Sequence, residues 1–342
     1  MLICCSAFIL ILFVGQRMIF TKTILGSFTG VFIAVLFFSL TQANASQQED
    51  ALVEVLPNWR VDQKVKYELV KRRVKTKNGF VVLDMTARTD LKIEVLDANK
   101  DGYKLGWTFG ETKFDDPGAT KNPVVKEMSN LLKDQLIILE LNTQAVVVGI
   151  ENWEVLHNAT DKMVATASKL LEEKGMDKAA IANIRRQITS MFSTKEQITQ
   201  MCTREAQIMF MAVGVELDPS EPLAFSDLLP NPFGGESFPT RAEFALKEVN
   251  PATDQTTITW RQQFLPEESR RIMEASLEEM AKRTGKPVPD GQKLLGFSVE
   301  DKAEFVFKSS TGWLDHASHK RSTIIGDVTQ EDTVVFKRKK EQ

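Results

Sequence analysis

The sequence predicts an α+β protein: a curved antiparallel β-sheet covered by amphipathic helices, with a three-helix insert near the middle of the chain. Three observations carry that prediction. Apolar and polar residues alternate with period two from about residue 61 and again from about residue 242, as half-buried antiparallel strands require. Between residues 153 and 213 the apolar spacing is helical. Turn signals such as Asn78-Gly79 and Thr311-Gly312 separate the alternating runs.

The chain opens differently. Residues 1–45 hold two charged side chains, Arg17 and Lys22, and two apolar runs, 2–14 and 24–40. Ala43 and Ala45 give the small-x-small ending that signal peptidase accepts, so 1–45 reads as a signal peptide cleaved after Ala45. The reading is cleanest if translation starts at Met18. The rival is an uncleaved anchor, for which seventeen apolar residues (24–40) fall at the short edge of the roughly 20 a span needs. Cleavage implies an exported protein, periplasmic or extracellular. Removing the +2 of the presequence from the net charge of −3 leaves −5, which gives no case for a nucleic-acid partner or an anionic membrane surface. Cys4 and Cys5 leave with the presequence and Cys202 stands alone, so no intrachain disulfide forms.

After a polar leader (46–60), Val65, Tyr67 and Leu69 begin the first strand. Val81, Leu83, Met85 and Ala87, then Leu91, Ile93 and Val95, continue the alternation. The stretch DANKDG (97–102) leads into Tyr103, Leu105, Trp107 and Phe109, which share one face. A short helix is expected around 124–133, then a hairpin about Asn142-Thr143-Gln144. The helical insert spans 152–213: one helix ends at Gly175, Asp177 caps a second, and Ser193-Thr194-Lys195-Glu196 makes a capping box for a third. Residues 214–240 read as a long Pro- and Gly-marked loop. Strands resume at 242–249 and 256–264. Pro266 opens a helix that Gly285 ends, and strands over about 297–308, 312–325 and 331–338 finish the chain. Residues 61–342 thus read as one α+β domain. The element order allows two pseudo-repeats, 61–150 and 241–342, around the insert.

Two motifs suggest metals. Asp97, Asn99, Asp101 and Gly102 match the first half of an EF-hand loop. Their flanks alternate like strands, and Thr108 stands where the bidentate acid belongs, so DANKDG reads as a hairpin turn. Asp315, His316 and His319 could ligate zinc, but on a strand the two histidines point to opposite faces. Nucleophile elbows, H-E-x-x-H, phosphate-loop and dinucleotide glycine patterns are all missing. Cys202 falls on the apolar stripe of its helix and reads as a core thiol. No cofactor is called for, and the sequence leans away from an enzyme.

Curved antiparallel sheet covered by helices is similar to the half-barrel carriers of the bacterial envelope, the LolA-like lipoprotein carriers. The likeness rests on the signal peptide, the order of strands and helices, and turns such as KSSTGWLDH (308–316). The helical insert departs from that plan. The resemblance implies an apolar ligand, a lipid or acyl chain. The expected lining is Tyr103, Leu105, Trp107 and Phe109, with Met201, Met209, Met273 and Met280 on the covering helices, since methionine suits adaptable apolar surfaces. The rival is a scaffold with a filled core that binds an envelope protein. An enzyme of unassigned type is the third reading.

Overall fold

The computed structural model describes residues 52–121, 123–229, 231, 235–284 and 297–340. The expected signal peptide (1–45) and the helix stop at Gly285 lie outside them. Five strands come first: β1 (Lys64–Lys77), β2 (Phe80–Asn99), β3 (Gly102–Phe114), β4 (Leu136–Leu141) and β5 (Val147–Ile150). Short helices α1 (Pro117–Lys121) and α2 (Pro123–Ser129) separate β3 from β4. Helices α3 (Glu154–Glu173), α4 (Lys178–Met191), α5 (Lys195–Cys202) and α6 (Arg204–Phe210) follow. Then come β6 (Leu223–Leu229), β7 (Phe238–Asn250), β8 (Gln255–Phe264), α7 (Pro266–Thr284), β9 (Ser298–Lys308), β10 (Leu314–Ile325) and β11 (Val328–Arg338).

All eleven strands join one antiparallel sheet, in the order β5-β4-β3-β2-β1-β11-β10-β9-β8-β7-β6. Two meanders therefore run outward from a central seam where β1 pairs with β11, from Tyr67↔Arg338 to Lys77↔Val328. The helices between β5 and β6 link the two outer edges.

The structure corrects the sequence reading at three places. The insert holds four helices, because the third breaks at Thr203, which serves as C-cap of α5 and N-cap of α6. The capping box of α5 lies one residue later than expected, with Thr194 and Gln197 reciprocally bonded. Part of the expected 214–240 loop is a strand: β6 pairs with β7, Leu223 opposite Phe244. Its alternation is short and flanked by prolines, so turn chemistry hid it. Asp177 does cap α4, its carboxylate accepting from the Ala180 N–H at 2.9 Å. DANKDG is a hairpin turn: Asn99 pairs with Gly102 and accepts from the Asp101 N–H at 2.8 Å. A Cβ on Gly102 would lie 2.0 Å from the Leu141 carbonyl oxygen, so only glycine fits there.

One face of the sheet is buried except toward the tips of the β1–β2 and β10–β11 hairpins. Val65, Tyr67 and Leu69, then Leu91, Ile93 and Val95, then Phe305, Phe307 and Phe336 all point inward. The sheet curves toward that face. Tyr103 on β3 and Trp313 at the start of β10 are separated by four strand spacings, ~19 Å if flat. Both nevertheless touch the ring of Trp59, with centroids 5.0 and 4.6 Å away. Helices α5 and α6 and the leader close over this end. At the other end α7 covers β7–β9 through Ile272, Met273 and Leu277.

Candidate functional site

The inner face changes character partway along the strands. Near the DANKDG end it is apolar. Leu105, Trp107 and Phe109 are buried there, with Ile137 and Leu139 beside them on β4. Tyr103 is half-buried, and its hydroxyl donates to the Pro57 carbonyl at 2.9 Å. From α6, Met209 enters the same cluster fully buried; from α5, Met201 packs against it. These six expected lining residues are thus brought together. Met273 is not among them, because α7 carries it into a separate cluster with Phe238, Phe264 and Phe297. Met280 lies on α7, and its side chain is outside the described residues. Trp107, Phe109, Ile137, Leu139, Cys202, Glu205 and Ala206 enclose a cavity of about 10 Å³, room for roughly one water.

Toward the other end the inner face becomes ionic. Register aligns Arg73, Asp332, Arg321, Asp301 and Gln262 as neighbours across β1, β11, β10, β9 and β8. The first four alternate in charge. Arg73 reaches Asp332 at 2.5 Å. Arg321 makes a fork to Asp301, Nε to Oδ1 at 2.8 Å and Nη2 to Oδ2 at 2.9 Å, the geometry that makes Arg–carboxylate pairs strong. In the next row Lys71 pairs with Glu205 of α6, and His319 Nε2 lies 3.2 Å from Asp301 Oδ1. His319 and Trp260 flank the small Ala303 and their rings stack at 5.8 Å.

Burial sets the protonation states. It pushes Asp301 up, but Arg321 and His319 more than offset it and hold the carboxyl below its ordinary range. Burial pushes His319 down more than Asp301 raises it, so the imidazole is neutral at pH 7. With Nε2 donating to Asp301, Nδ1 is a bare acceptor, and it has no partner among the described residues.

Arg204 is the odd member. It is 9 % exposed, and its Nε and Nη2 have no hydrogen-bond partner among the described residues. Burial, then the nearby Arg321, push its pKa down, while Asp301, Glu205 and Asp332 act the other way. Among the described residues the cluster holds four cations, Lys71, Arg73, Arg204 and Arg321, against three carboxylates, Glu205, Asp301 and Asp332. One positive charge is left over, and Arg204 carries it.

The sequence reading missed this ladder. Its signal was present as parity: Val65, Tyr67 and Leu69 continue in step to Lys71 and Arg73, and Val299, Ala303 and Phe305 bracket Asp301. Of the DHASH residues, His319 faces inward. His316 lies half-buried on the other face, and Asp315 pairs with Arg338 at 3.3 Å. No group of three or more metal-ligating side chains occurs among the described residues.

No protein-family model matches this chain, and no curated protein matches it. Among solved structures it is similar to one of lipovitellin concerned with lipid–protein interactions, at 8% identity and a TM-score of 0.38. The likeness covers 83% of this chain and 26% of that one, so the chain spans about a quarter of lipovitellin's length. At that TM-score the likeness carries no argument, and it does not single out the LolA-like carriers.

Proposed function

We propose that this chain is a non-catalytic binding protein that holds an acidic amphiphile, a fatty acid or anionic phospholipid, against the inner face of its sheet. The observation that carries the reading is Arg204, a buried guanidinium with two donor nitrogens unpartnered among the described residues. An unpaired buried charge is costly, and a carboxylate or phosphate would relieve it. The apolar wall of Leu105, Trp107 and Phe109 lies toward the other end of the same face and suits the acyl chain. The cavity of about 10 Å³ is far too small for that chain, so α5 and α6 act as a cover that must move for ligand to enter. The reading places the protein outside the cytoplasm, exported by its N-terminal segment.

Native mass spectrometry of the purified protein and displacement of a fluorescent fatty acid test the proposal together. The expected result is one exchangeable acidic lipid per chain, bound at least ~10-fold more weakly by a folded Arg204→Met variant. Finding no exchangeable lipid in either assay overturns it. That outcome favours the second reading, a scaffold with a filled core, which the small size of the cavity supports.

A further inference from the structure

Three apolar residues in a row stand in solvent at the tip of the β1–β2 hairpin. Phe80 is 77%, Val81 63% and Val82 58% exposed. The turn before them is built by Asn78 and Gly79, both at positive φ (51° and 78°), the backbone of a tight two-residue hairpin. A register shift opposite Lys75 and Thr76 leaves Val82 unpaired between Val81 and Leu83, so consecutive side chains cannot alternate in and out. The β10–β11 hairpin lies alongside. The Asn78 N–H donates to the Asp327 carbonyl at 3.0 Å, and Ile325 adds a fourth exposed apolar side chain.

Runs of exposed apolar residues are normally selected against unless they bind something. The net charge of −5 gives no case for an anionic surface, but the charges beside this run do. Lys75 and Lys77 make no ion pair among the described residues, whereas Arg72 and Asp84 cancel each other through a two-bond fork. Asp327 is the anion in the adjoining turn. All four side chains are exposed rather than folded into a groove, and strand pairing holds the tip rigid. A rigid apolar tip flanked by lysines fits the headgroup–acyl boundary of an anionic bilayer.

We infer that the paired tips of the β1–β2 and β10–β11 hairpins dock the protein on an anionic membrane surface, with Phe80, Val81 and Val82 inserted. No described helix is long and apolar enough to cross a membrane. This contact goes beyond the ligand proposal and stands whether or not the inner face holds a lipid.

The test uses the protein as its host exports it, with the N-terminus the cell leaves. An environment-sensitive fluorophore is placed at Val81→Cys and, as control, at Lys100→Cys in the turn at the far end of β2, on the order of 60 Å away. Vesicles of phosphatidylcholine with phosphatidylglycerol should shift the emission of the probe at 81 to the blue and leave the probe at 100 unchanged. Salt and pure phosphatidylcholine should weaken the response. The combined variant Phe80→Ser, Val81→Ser, Val82→Ser should lower vesicle partitioning at least ~10-fold. A silent probe at 81, equal shifts at both positions, or unchanged partitioning of the triple variant overturns the inference. The probe result decides if the triple variant fails to fold.

Discussion

Glu300 and Asp301 are neighbours on β9, and each carboxylate holds two basic side chains as partners. Glu300 faces outward and takes Arg261 at 2.8 Å and Lys302 at 3.0 Å. Asp301 faces inward and takes Arg321 and His319. The contacts look alike, but the surroundings do not. The Glu300 side chain is 31% exposed and the Asp301 side chain 1%. Outer pairs of this kind, with Lys247–Glu304 and Lys320–Glu331 beside them, are screened by water and add little stability. The inner ladder pays heavy desolvation and recovers it only while every member is present. The outer face therefore tolerates change, and the inner face commits the fold to one arrangement.

Breaking the inner ladder should have the largest effect. Asp301→Ala leaves the Arg321 guanidinium buried without its carboxylate and should destabilise by about 3–5 kcal/mol in urea unfolding. Replacing both partners, Asp301→Leu with Arg321→Met, should restore most of that. A single-variant loss no larger than that of Glu300→Ala would erase the contrast. Next comes Arg204→Met, which removes the unpaired charge. Stability without ligand should stay level or rise by up to about 2 kcal/mol, and a clear loss would mean that Arg204 is already neutralised by its neighbours.

The third effect is on pH dependence. Burial depresses His319 below its ordinary value of 6.5, so the unfolded chain takes up a proton there before the folded one does. Its contribution is complete above about 6.5 and is lost as pH falls from there through the folded-state value. Asp301, also depressed, adds its own loss at lower pH, below its ordinary 3.8. Subtracting the stability–pH curve of His319→Gln from that of the parent should leave a slope that begins below pH 6.5. A flat difference would mean that the imidazole is not buried neutral. The smallest effect belongs to the outer face: Glu300→Ala should cost about 0.2–1 kcal/mol and shrink further in high salt.

The strands were legible because period-two alternation records burial on one face, and Leu105, Trp107 and Phe109 on a common buried face could be read from spacing alone. The fork of Asp301 with Arg321 could not. Those residues lie on different strands, and which strand neighbours which is decided by the β1–β11 seam rather than by any local run. Within KVKYELVKRRVKTK the inward Lys71 and Arg73 look like the outward Lys66 and Arg72, since charge says nothing of face unless the apolar parity before it is extended. Strand β6 was lost to its prolines, and the break at Thr203 followed from tertiary packing of α6 that spacing does not encode.

The seam has a consequence in time. Residues 64–77 are made about 250 residues before residues 328–338, yet they are partners at the centre of the sheet. A chain emerging from a ribosome presents the first meander with its β1 edge unpaired until β11 appears. Closure across so long a loop is slow, and an unpaired edge invites other strands. Any chain cut short before β11 would keep that edge exposed, so pairing of β11 reports that both meanders have been made.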